Sequence, residues 1–134
     1  MGRTTLLAVA HPWQCDQMGH MNVRFYASLF DDAGFQFLGH LAGADAPDHL
    51  GWADVRSEVD FRNETAAGTL LTVTTSVVKI GRSSVTYRHV MVDSIGGKVQ
   101  AEAMLVTVRF DLKARKSVTI EDGARERAEA LLET

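Results

Sequence analysis

Gln14-Cys15-Asp16-Gln17-Met18-Gly19-His20-Met21-Asn22 is the stretch that decides the fold of this chain, because a strand-like segment ends there and a long helical pattern starts at Val23. Asn22 is a favourable N-cap, since its side chain can accept hydrogen bonds from N–H groups of the first helical turn. Gly19 permits a tight turn or a close approach to a ligand. The stretch is therefore a junction between a strand and a helix.

The run from Val23 to Leu41 has the pattern of a helix. Apolar residues recur every four positions and further apolar residues stand beside them. The set comprises Phe25, Leu29, Ala33, Phe37 and Leu41, flanked by Tyr26, Phe30 and Leu38. A stripe this broad is typical of a helix that is buried on most of its surface. Gly39 and Gly43 offer positions at which the helix can end.

After Trp52 the pattern changes to that of β-strands. Segments rich in Val, Thr, Ile and Phe are separated by turn signals, and they run from Ala53 to Arg62, Thr69 to Lys79, Ser83 to Asp93 and Val99 to Asp111. This spacing predicts an antiparallel meander. The remaining predicted elements are a first strand from Thr4 to Trp13, a loop or helical turn from Ala44 to Leu50, a small last strand from Ser117 to Ile120 and a short helix from Glu121 to Leu132. The apolar helix must be buried against the sheet, which gives an α+β arrangement.

Composition limits the classes of protein to which the chain can belong. A chain of 134 residues with 46% hydrophobic and 23% charged residues is expected to form one domain over residues 1–134. The net charge of −3 gives no basic footprint for nucleic acid. No apolar run is long enough for a membrane span, and His11-Pro12 interrupts any signal-peptide pattern. The single Cys15 suits a reducing compartment, so we expect a cytoplasmic protein.

Asp16 is the best candidate for a reactive group. The first turn of a helix leaves N–H groups unpaired and carries partial positive charge, which stabilises negative charge that develops nearby. A carboxylate held at such a turn can act as general base or nucleophile on a polarised carbonyl. An Asp in this position can also cap the helix or close an Asx-turn.

The pattern Asp16-x-x-Gly19-His20-Met21-Asn22-x-x-x-Tyr26 resembles the hotdog-fold acyl-CoA thioesterases of the 4-hydroxybenzoyl-CoA thioesterase group. The resemblance covers most of the chain, and it continues through Arg56-Ser57-Glu58-Val59-Asp60-Phe61, Gly68, Ile80-Gly81-Arg82-Ser83-Ser84 and Tyr87-Arg88-His89. A pattern spread over a whole sequence is more specific than one short motif.

The resemblance implies a hotdog fold, in which an antiparallel sheet wraps around one long central helix, with the short helix at the C-terminus. It also implies a homodimer or homotetramer with the active site at the subunit interface. The implied reaction is hydrolysis of an acyl-CoA thioester, with Asp16 attacking the carbonyl or activating a water. Coenzyme A would be part of the substrate, and no other cofactor is expected.

Roles for further residues follow from the same resemblance. The backbone N–H of Gly51 is the candidate donor to the oxyanion, at the start of a short helical segment before the second strand. The candidate substrate-binding residues are Gly19, His20, Asn22, Tyr26 and Trp52. His20 could orient Asp16. The candidates for binding the phosphates and pantetheine of CoA are Lys79, Arg82, Ser83 and Ser84.

Other chemistries fit the sequence less well. His11, Asp16, His20 and His49 match no helical His pair and no Cys/His site, so no metal is expected. Ser83 and Ser84 lack the Gly-x-Ser-x-Gly pattern of a serine hydrolase. Two alternatives remain open: another hotdog enzyme, such as a hydratase or dehydratase acting on acyl thioesters, and a non-enzymatic acyl-CoA binding protein.

Overall fold

The structure is a computed structural model that describes residues 2–134. Its strands and helices follow one another along the chain as β1 (Arg3–Val9), α1 (Val23–Ala42), β2 (Leu50–Phe61), β3 (Leu70–Ile80), β4 (Ser84–Asp93), β5 (Val99–Asp111), β6 (Lys116–Ser117) and α2 (Asp122–Glu129). A single 3-10 turn, Pro12–Gln14, lies between β1 and α1. The long helix was predicted to within one residue, at Val23 to Leu41.

The six strands form one antiparallel sheet in the order β1-β3-β4-β5-β2, and β6 pairs with β5. The meander of β3, β4 and β5 is confirmed. The prediction that β2 belongs to the same meander is wrong, because β2 pairs with β5 instead of β3. The connection from β2 to β3 closes no hairpin. It is tied to the junction before α1, where the N–H of Met21 donates to the carbonyl of Thr65.

Several predicted boundaries also need correction. β1 ends at Val9 and not at Trp13, because Pro12 has no N–H to donate to a ladder and starts the 3-10 turn. The predicted last strand from Ser117 to Ile120 is the two-residue β6. α2 ends at Glu129, short of the predicted Leu132. Such shifts at element ends come from local hydrogen bonds that a pattern does not show.

One side of α1 fills the core of the molecule. Its buried residues are Tyr26, Leu29, Phe30, Ala33, Gly34, Phe37 and Leu41. The rings of Phe37 and Tyr87 lie 4.7 Å apart, and Phe30 stacks on His89 at 5.7 Å, so the helix crosses β4. Each large side chain buried in this way contributes about 1.5–3 kcal/mol. The prediction that most of the helix surface is buried is wrong for the single chain, because Phe35 on the opposite side is 79% exposed.

A buried polar chain lies beneath this helix. Thr5 Oγ1 lies 2.8 Å from Thr75 Oγ1, which lies 2.7 Å from His89 Nδ1. His89 is fully buried, and its Nε2 has no hydrogen-bond partner among the described residues. Burial disfavours the charged imidazolium and lowers the pKa of His89 to about 4.

We expect acid to destabilise the protein through His89. The pKa of His89 in the folded state is below that of His in an unfolded chain. The neutral imidazole therefore contributes to the free energy of unfolding above about pH 6.5, and this contribution is lost as the pH falls towards 4. Between pH 7 and pH 5 this loss is about 2 kcal/mol. Urea unfolding of the wild type and of His89→Gln at both pH values measures it. His49→Gln, at an exposed position, is the control. A pH dependence that persists unchanged in His89→Gln would contradict the assignment.

Candidate active site

A cleft of about 300 Å³ lies at the junction before α1. One wall comes from the segment between Asp16 and Tyr26, and the other comes from the end of β2 and the residues that follow it. The lining residues are Asp16, Met18, His20, Met21, Val23, Tyr26, Phe61, Arg62, Asn63 and Glu64. The cleft therefore contains the predicted reactive carboxylate, and we call it the Asp16 cleft.

The carboxylate of Asp16 is exposed but held in place. Its Oδ1 accepts from the N–H of Met18 at 2.9 Å, and its Oδ2 accepts from Asn22 Nδ2 at 3.1 Å. The first of these bonds is an Asx-turn, which was the structural alternative for this residue. Each carboxylate oxygen can accept more than one hydrogen bond. The turn thus orients Asp16 and leaves acceptor capacity for a water or substrate group.

Asn22 and Gly19 have the geometry that the sequence suggested. Asn22 is the N-cap of α1, with its Oδ1 accepting from the N–H of Arg24 at 3.1 Å. Gly19 has a φ of 81°, in the left-handed region that glycine adopts without strain. Its N–H donates to the carbonyl of Asp16 at 2.9 Å. The two residues fix the path of the chain between Asp16 and the helix.

His20 does not orient the Asp16 carboxylate through its imidazole. His20 Nε2 lies 3.1 Å from Glu64 Oε2, on the opposite wall of the cleft. Its contact with Asp16 is through the backbone, where the His20 carbonyl accepts from the N–H of Asp16 at 3.1 Å. The side chain of His20 therefore joins the two walls. Glu64, which sequence reasoning missed, is its partner.

The start of α1 supplies backbone donors to this cleft. The N–H of Arg24 donates to the side-chain oxygen of Asn22, and the N–H of Phe25 donates to the backbone carbonyl of Asn22. Val23 lines the cleft together with Asp16, and no acceptor within residues 2–134 is found for its N–H. Unpaired N–H groups at a helix start are suited to bind developing negative charge.

Gly51 and Trp52 lie at the other end of β2. Gly51 is inside the strand, opposite Phe110, so the helical turn expected there is absent. Trp52 lines a second cavity of about 430 Å³, bounded mainly by apolar residues of α1 and of the sheet. From Gly51 to Phe61 the strand advances ten residues, which is roughly 33 Å at 3.3 Å per residue. The structure therefore does not bring Gly51 and Trp52 to Asp16 within one chain.

Arg109 stabilises that end of β2. It is almost fully buried, and its guanidinium donates to both carboxylate oxygens of Glu121 at 2.7 Å. It also donates to the carbonyl of Gly51 at 3.2 Å and lies 4.4 Å above the ring of Trp52. The hydrogen bonds from Arg109 hold the pKa of Glu121 below its usual range. A bidentate pair of this kind fixes the wall of the second cavity.

The predicted CoA-binding residues lie at this same end. Lys79, near the end of β3, and Arg82, in the turn between β3 and β4, are exposed, whereas Ser83 and Ser84 beside them are half-buried. Arg82 donates to Thr119 Oγ1 at 2.7 Å.

Sequence reasoning missed a further group of cations nearby. The exposed residues Lys113, Arg115 and Lys116 lie at the turn between β5 and β6. In the strand ladders, Lys116 of β6 pairs with Asp111 of β5, and Asp111 pairs with Leu50 of β2. Three cations within four residues at the end of a hairpin were a readable signal for anion binding.

Within residues 2–134, no group of three or more His, Cys, Asp and Glu side chains is arranged to hold a metal ion. In the same part of the chain, no helix has the length and apolar character needed to cross a membrane.

Comparison with known proteins identifies the family. The sequence profile of the thioesterase-like superfamily matches residues 10–128. The chain belongs to this superfamily. It is accordingly a thioester hydrolase, as the resemblance implied. A search of curated proteins finds no match to this thioesterase-like chain.

Solved structures confirm the hotdog fold of this thioesterase-like chain. A predicted thioesterase from Bacillus stearothermophilus superposes with a TM-score of 0.86 at 22% identity, over 100% of this chain and 98% of that one. The protein SAV2348 from Staphylococcus aureus, in complex with CoA, gives 0.87 at 12% identity over 100% and 89%. Slr0204, a 1,4-dihydroxy-2-naphthoyl-CoA thioesterase from Synechocystis, gives 0.79 at 13% identity over 96% of each chain.

Substitutions of Asn22 distinguish the effects of its side-chain hydrogen bonds to Asp16 and to the N–H of Arg24. Asn22→Ala removes the cap and should lower the free energy of unfolding by about 1 kcal/mol. Asn22→Asp keeps an acceptor for the helix, so the loss of stability caused by the missing cap should be absent. It places a second carboxylate beside Asp16, which favours the protonated form of Asp16. If Asp16 is the reacting group, the acid limb of the pH–rate profile moves to higher pH. Urea unfolding and the pH dependence of kcat/KM for thioester hydrolysis test this. An acid limb identical to that of the wild type would contradict it.

Proposed function

We propose that the protein hydrolyses acyl-CoA thioesters to the free acid and CoA, with Asp16 as general base or nucleophile. The observation that carries this proposal is a carboxylate held by Asn22 and an Asx-turn beside the N-terminus of α1, inside a cleft. A base and a source of positive potential thus lie side by side, as acyl transfer requires.

Either role of Asp16 gives a balanced reaction. As general base, Asp16 takes a proton from water while the water oxygen attacks the carbonyl carbon, and the C–S bond then breaks to release the CoA thiolate. As nucleophile, a carboxylate oxygen of Asp16 attacks the carbonyl carbon, and the C–S bond breaks to release the CoA thiolate. Water then hydrolyses the resulting mixed anhydride to the free acid and the Asp16 carboxylate, and the second proton of the water goes to the thiolate. In both cases negative charge develops on the carbonyl oxygen. We propose that the N–H of Val23 and the start of α1 stabilise that charge, the role that the resemblance gave to Gly51.

The choice of CoA as the thiol rests on two kinds of support. One structural relative is a complex with CoA, and another is named as a CoA thioesterase. This chain also carries exposed cations in two neighbouring turns, with Lys79 and Arg82 in one and Lys113, Arg115 and Lys116 in the other. The phosphates of CoA are the complementary ligand for such a cluster.

We also propose that the functional unit is a homodimer formed through β2. No strand within residues 2–134 pairs with the outer edge of β2, and the residues from Asp54 to Glu58 are exposed on both faces. Large apolar side chains near this edge are exposed as well: Phe35, Val55 and Phe61. A long unpaired edge strand is a template for pairing with another chain.

A two-fold axis through β2 would unite the separated candidates. Antiparallel pairing of two copies of β2 places the end near Gly51 of one copy beside the end near Phe61 of the other. The Asp16 cleft of one protomer then meets the second cavity of its partner. Asp16 would act on a thioester whose acyl group enters the cavity lined by Trp52 and whose phosphates reach the cation-rich turns.

Asp16→Asn and Asp16→Ala should reduce the hydrolysis of acyl-CoA by at least about a hundredfold, because the base or nucleophile is lost. The measurement is release of free thiol from short, medium, long-chain and aryl-CoA substrates. Asp32→Asn is the matched control, since Asp32 is an exposed carboxylate of α1 that lines neither cavity. Unchanged turnover in both Asp16 variants would remove this residue from the mechanism.

The same panel distinguishes the two alternative functions. A hydratase would add water to crotonyl-CoA without releasing thiol. A non-enzymatic binding protein would show saturable binding of acyl-CoA without turnover, and its binding would survive the loss of Asp16.

Mixing two inactive variants tests the shared site. Asp16→Asn and Trp52→Ala each spoil both sites of a homodimer, whereas a mixed dimer keeps one site in which both residues are intact. After subunit exchange of equal amounts we expect about a quarter of the wild-type activity, since half of the dimers are mixed and each has one working site. Sedimentation confirms dimerisation and exchange. A mixture of Asp16→Asn with Asp16→Ala is the control. Failure to regain activity after proven exchange would place each site within one chain.

A further inference from the structure

The wall of the Asp16 cleft opposite Asp16 is held by one buried residue, Gln100, through both its backbone and its side chain. The backbone carbonyl of Gln100 accepts from the N–H of Arg62 at 2.9 Å and from the N–H of Asn63 at 3.1 Å. Its side-chain Nε2 donates to the carbonyl of Glu64 at 2.8 Å and to Thr65 Oγ1 at 2.9 Å. Four consecutive residues of the wall therefore bind one residue of β5.

A β-bulge directs Gln100 towards this wall. In the ladder between β4 and β5, Met91 pairs with Ala101 and Val92 pairs with Val99, so Gln100 is passed over. The ladder between β2 and β5 ends at the pair of Phe61 and Ala101. A bulge turns a side chain away from the normal alternation, and bulges are common beside active sites. Gln100 and Ala101 are consequently both buried, although they are neighbours in the strand.

Thr65 connects this wall to α1 and to the segment before it, which form the opposite wall of the cleft. Thr65 is fully buried, and its Oγ1 accepts from Tyr26 OH at 2.8 Å as well as from Gln100. Its carbonyl accepts from the N–H of Met21 at 2.8 Å, in the same segment as Asp16. Tyr26 also packs edge-on against Phe61 at 5.2 Å. Thr65 is thus bonded both to Gln100 behind the wall and to the segment that carries Asp16.

We infer that Gln100 and Thr65 are positioning residues for the reaction at Asp16, and this inference rests on the function proposed above. Neither residue lines the cleft. They act through Tyr26 and through the backbone from Arg62 to Thr65, by setting the distance between the two walls. A displacement of the reacting groups by about 1 Å can reduce a rate about a hundredfold. Loss of the shared acceptor Thr65 Oγ1 leaves the buried hydroxyl of Tyr26 and one N–H of Gln100 Nε2 without a partner, so the walls are expected to separate.

Matched substitutions separate positioning from stability. Thr65→Val preserves shape but removes the acceptor, and Thr65→Ser restores it. Gln100→Met preserves length but removes both side-chain bonds. Thr5→Val is the control for a loss of stability alone. It removes a comparable buried hydroxyl, which is hydrogen-bonded to the Val73 carbonyl and to Thr75 Oγ1 and is remote from the cleft. Thermal melting and steady-state kinetics with acyl-CoA are measured for each variant well below its melting temperature.

We expect Thr65→Val and Gln100→Met to lower kcat at least about tenfold with little change in KM, and Thr65→Ser to remain within about threefold of the wild type. The double variant should be no slower than the slower single variant, because both changes disrupt one network. If Thr65→Val melts at a lower temperature, as Thr5→Val does, yet keeps the kcat of the wild type, the two residues are only structural and the inference is overturned.

Amide hydrogen exchange keeps this test separate from that of the proposed function. If the wild type hydrolyses no acyl-CoA, the proposed function fails. The positioning of the wall is then decided by the exchange of the N–H groups of Met21, Arg62 and Asn63. Faster exchange of these groups in Thr65→Val and Gln100→Met, but not in Thr5→Val, supports the role of the network. Unchanged exchange overturns it.

Discussion

The side chain of Asn22 is the constraint on which the candidate site depends. Its carbonyl oxygen caps α1 and its amide nitrogen holds the carboxylate of Asp16, so one residue sets both the start of the helix and the orientation of the acid. The cap also fixes where the apolar stripe of α1 begins, and with it the depth at which Tyr26 and Phe30 enter the core. Helix burial and the geometry of the acid are therefore determined together.

The sequence predicted those parts of the fold that depend on neighbouring residues. The apolar period of α1, the cap at Asn22 and the meander of β3 to β5 are local features, and each is present. The pairing of β2 could not be predicted in this way. Its partner β5 is about forty to sixty residues distant along the chain, and the turn-like residues after Phe61 pair with the junction before α1. Gly51 lies within β2, although the resemblance implied a short helical segment before this strand.

The residues of the candidate site also fall into a group that is local in sequence and a group that the fold brings together. Asp16, Gly19, Asn22 and Tyr26 lie within eleven residues, so their grouping could be predicted from one motif. Glu64 comes to the cleft, and Thr65 and Gln100 come to the hydrogen bonds behind its wall, only through the fold, and the bulge that turns Gln100 inward leaves no periodic signal. In sequence they look like ordinary polar residues near turns. Burial and hydrogen-bond distances were needed to relate them to Asp16, since those properties belong to the tertiary structure.

The position of β2 links the fold to the proposed assembly. An edge strand normally has to be protected, and here Asp54, Arg56 and Glu58 place charges along it. Two different half-sites lie at its ends, one with the acid and the helix N-terminus, the other with an apolar cavity and exposed cations. Neither half has the full set of groups that hydrolysis of a large thioester needs. In the proposed dimer one two-fold axis completes both sites at once, so that dimerisation would create the active site as well as cover the edge.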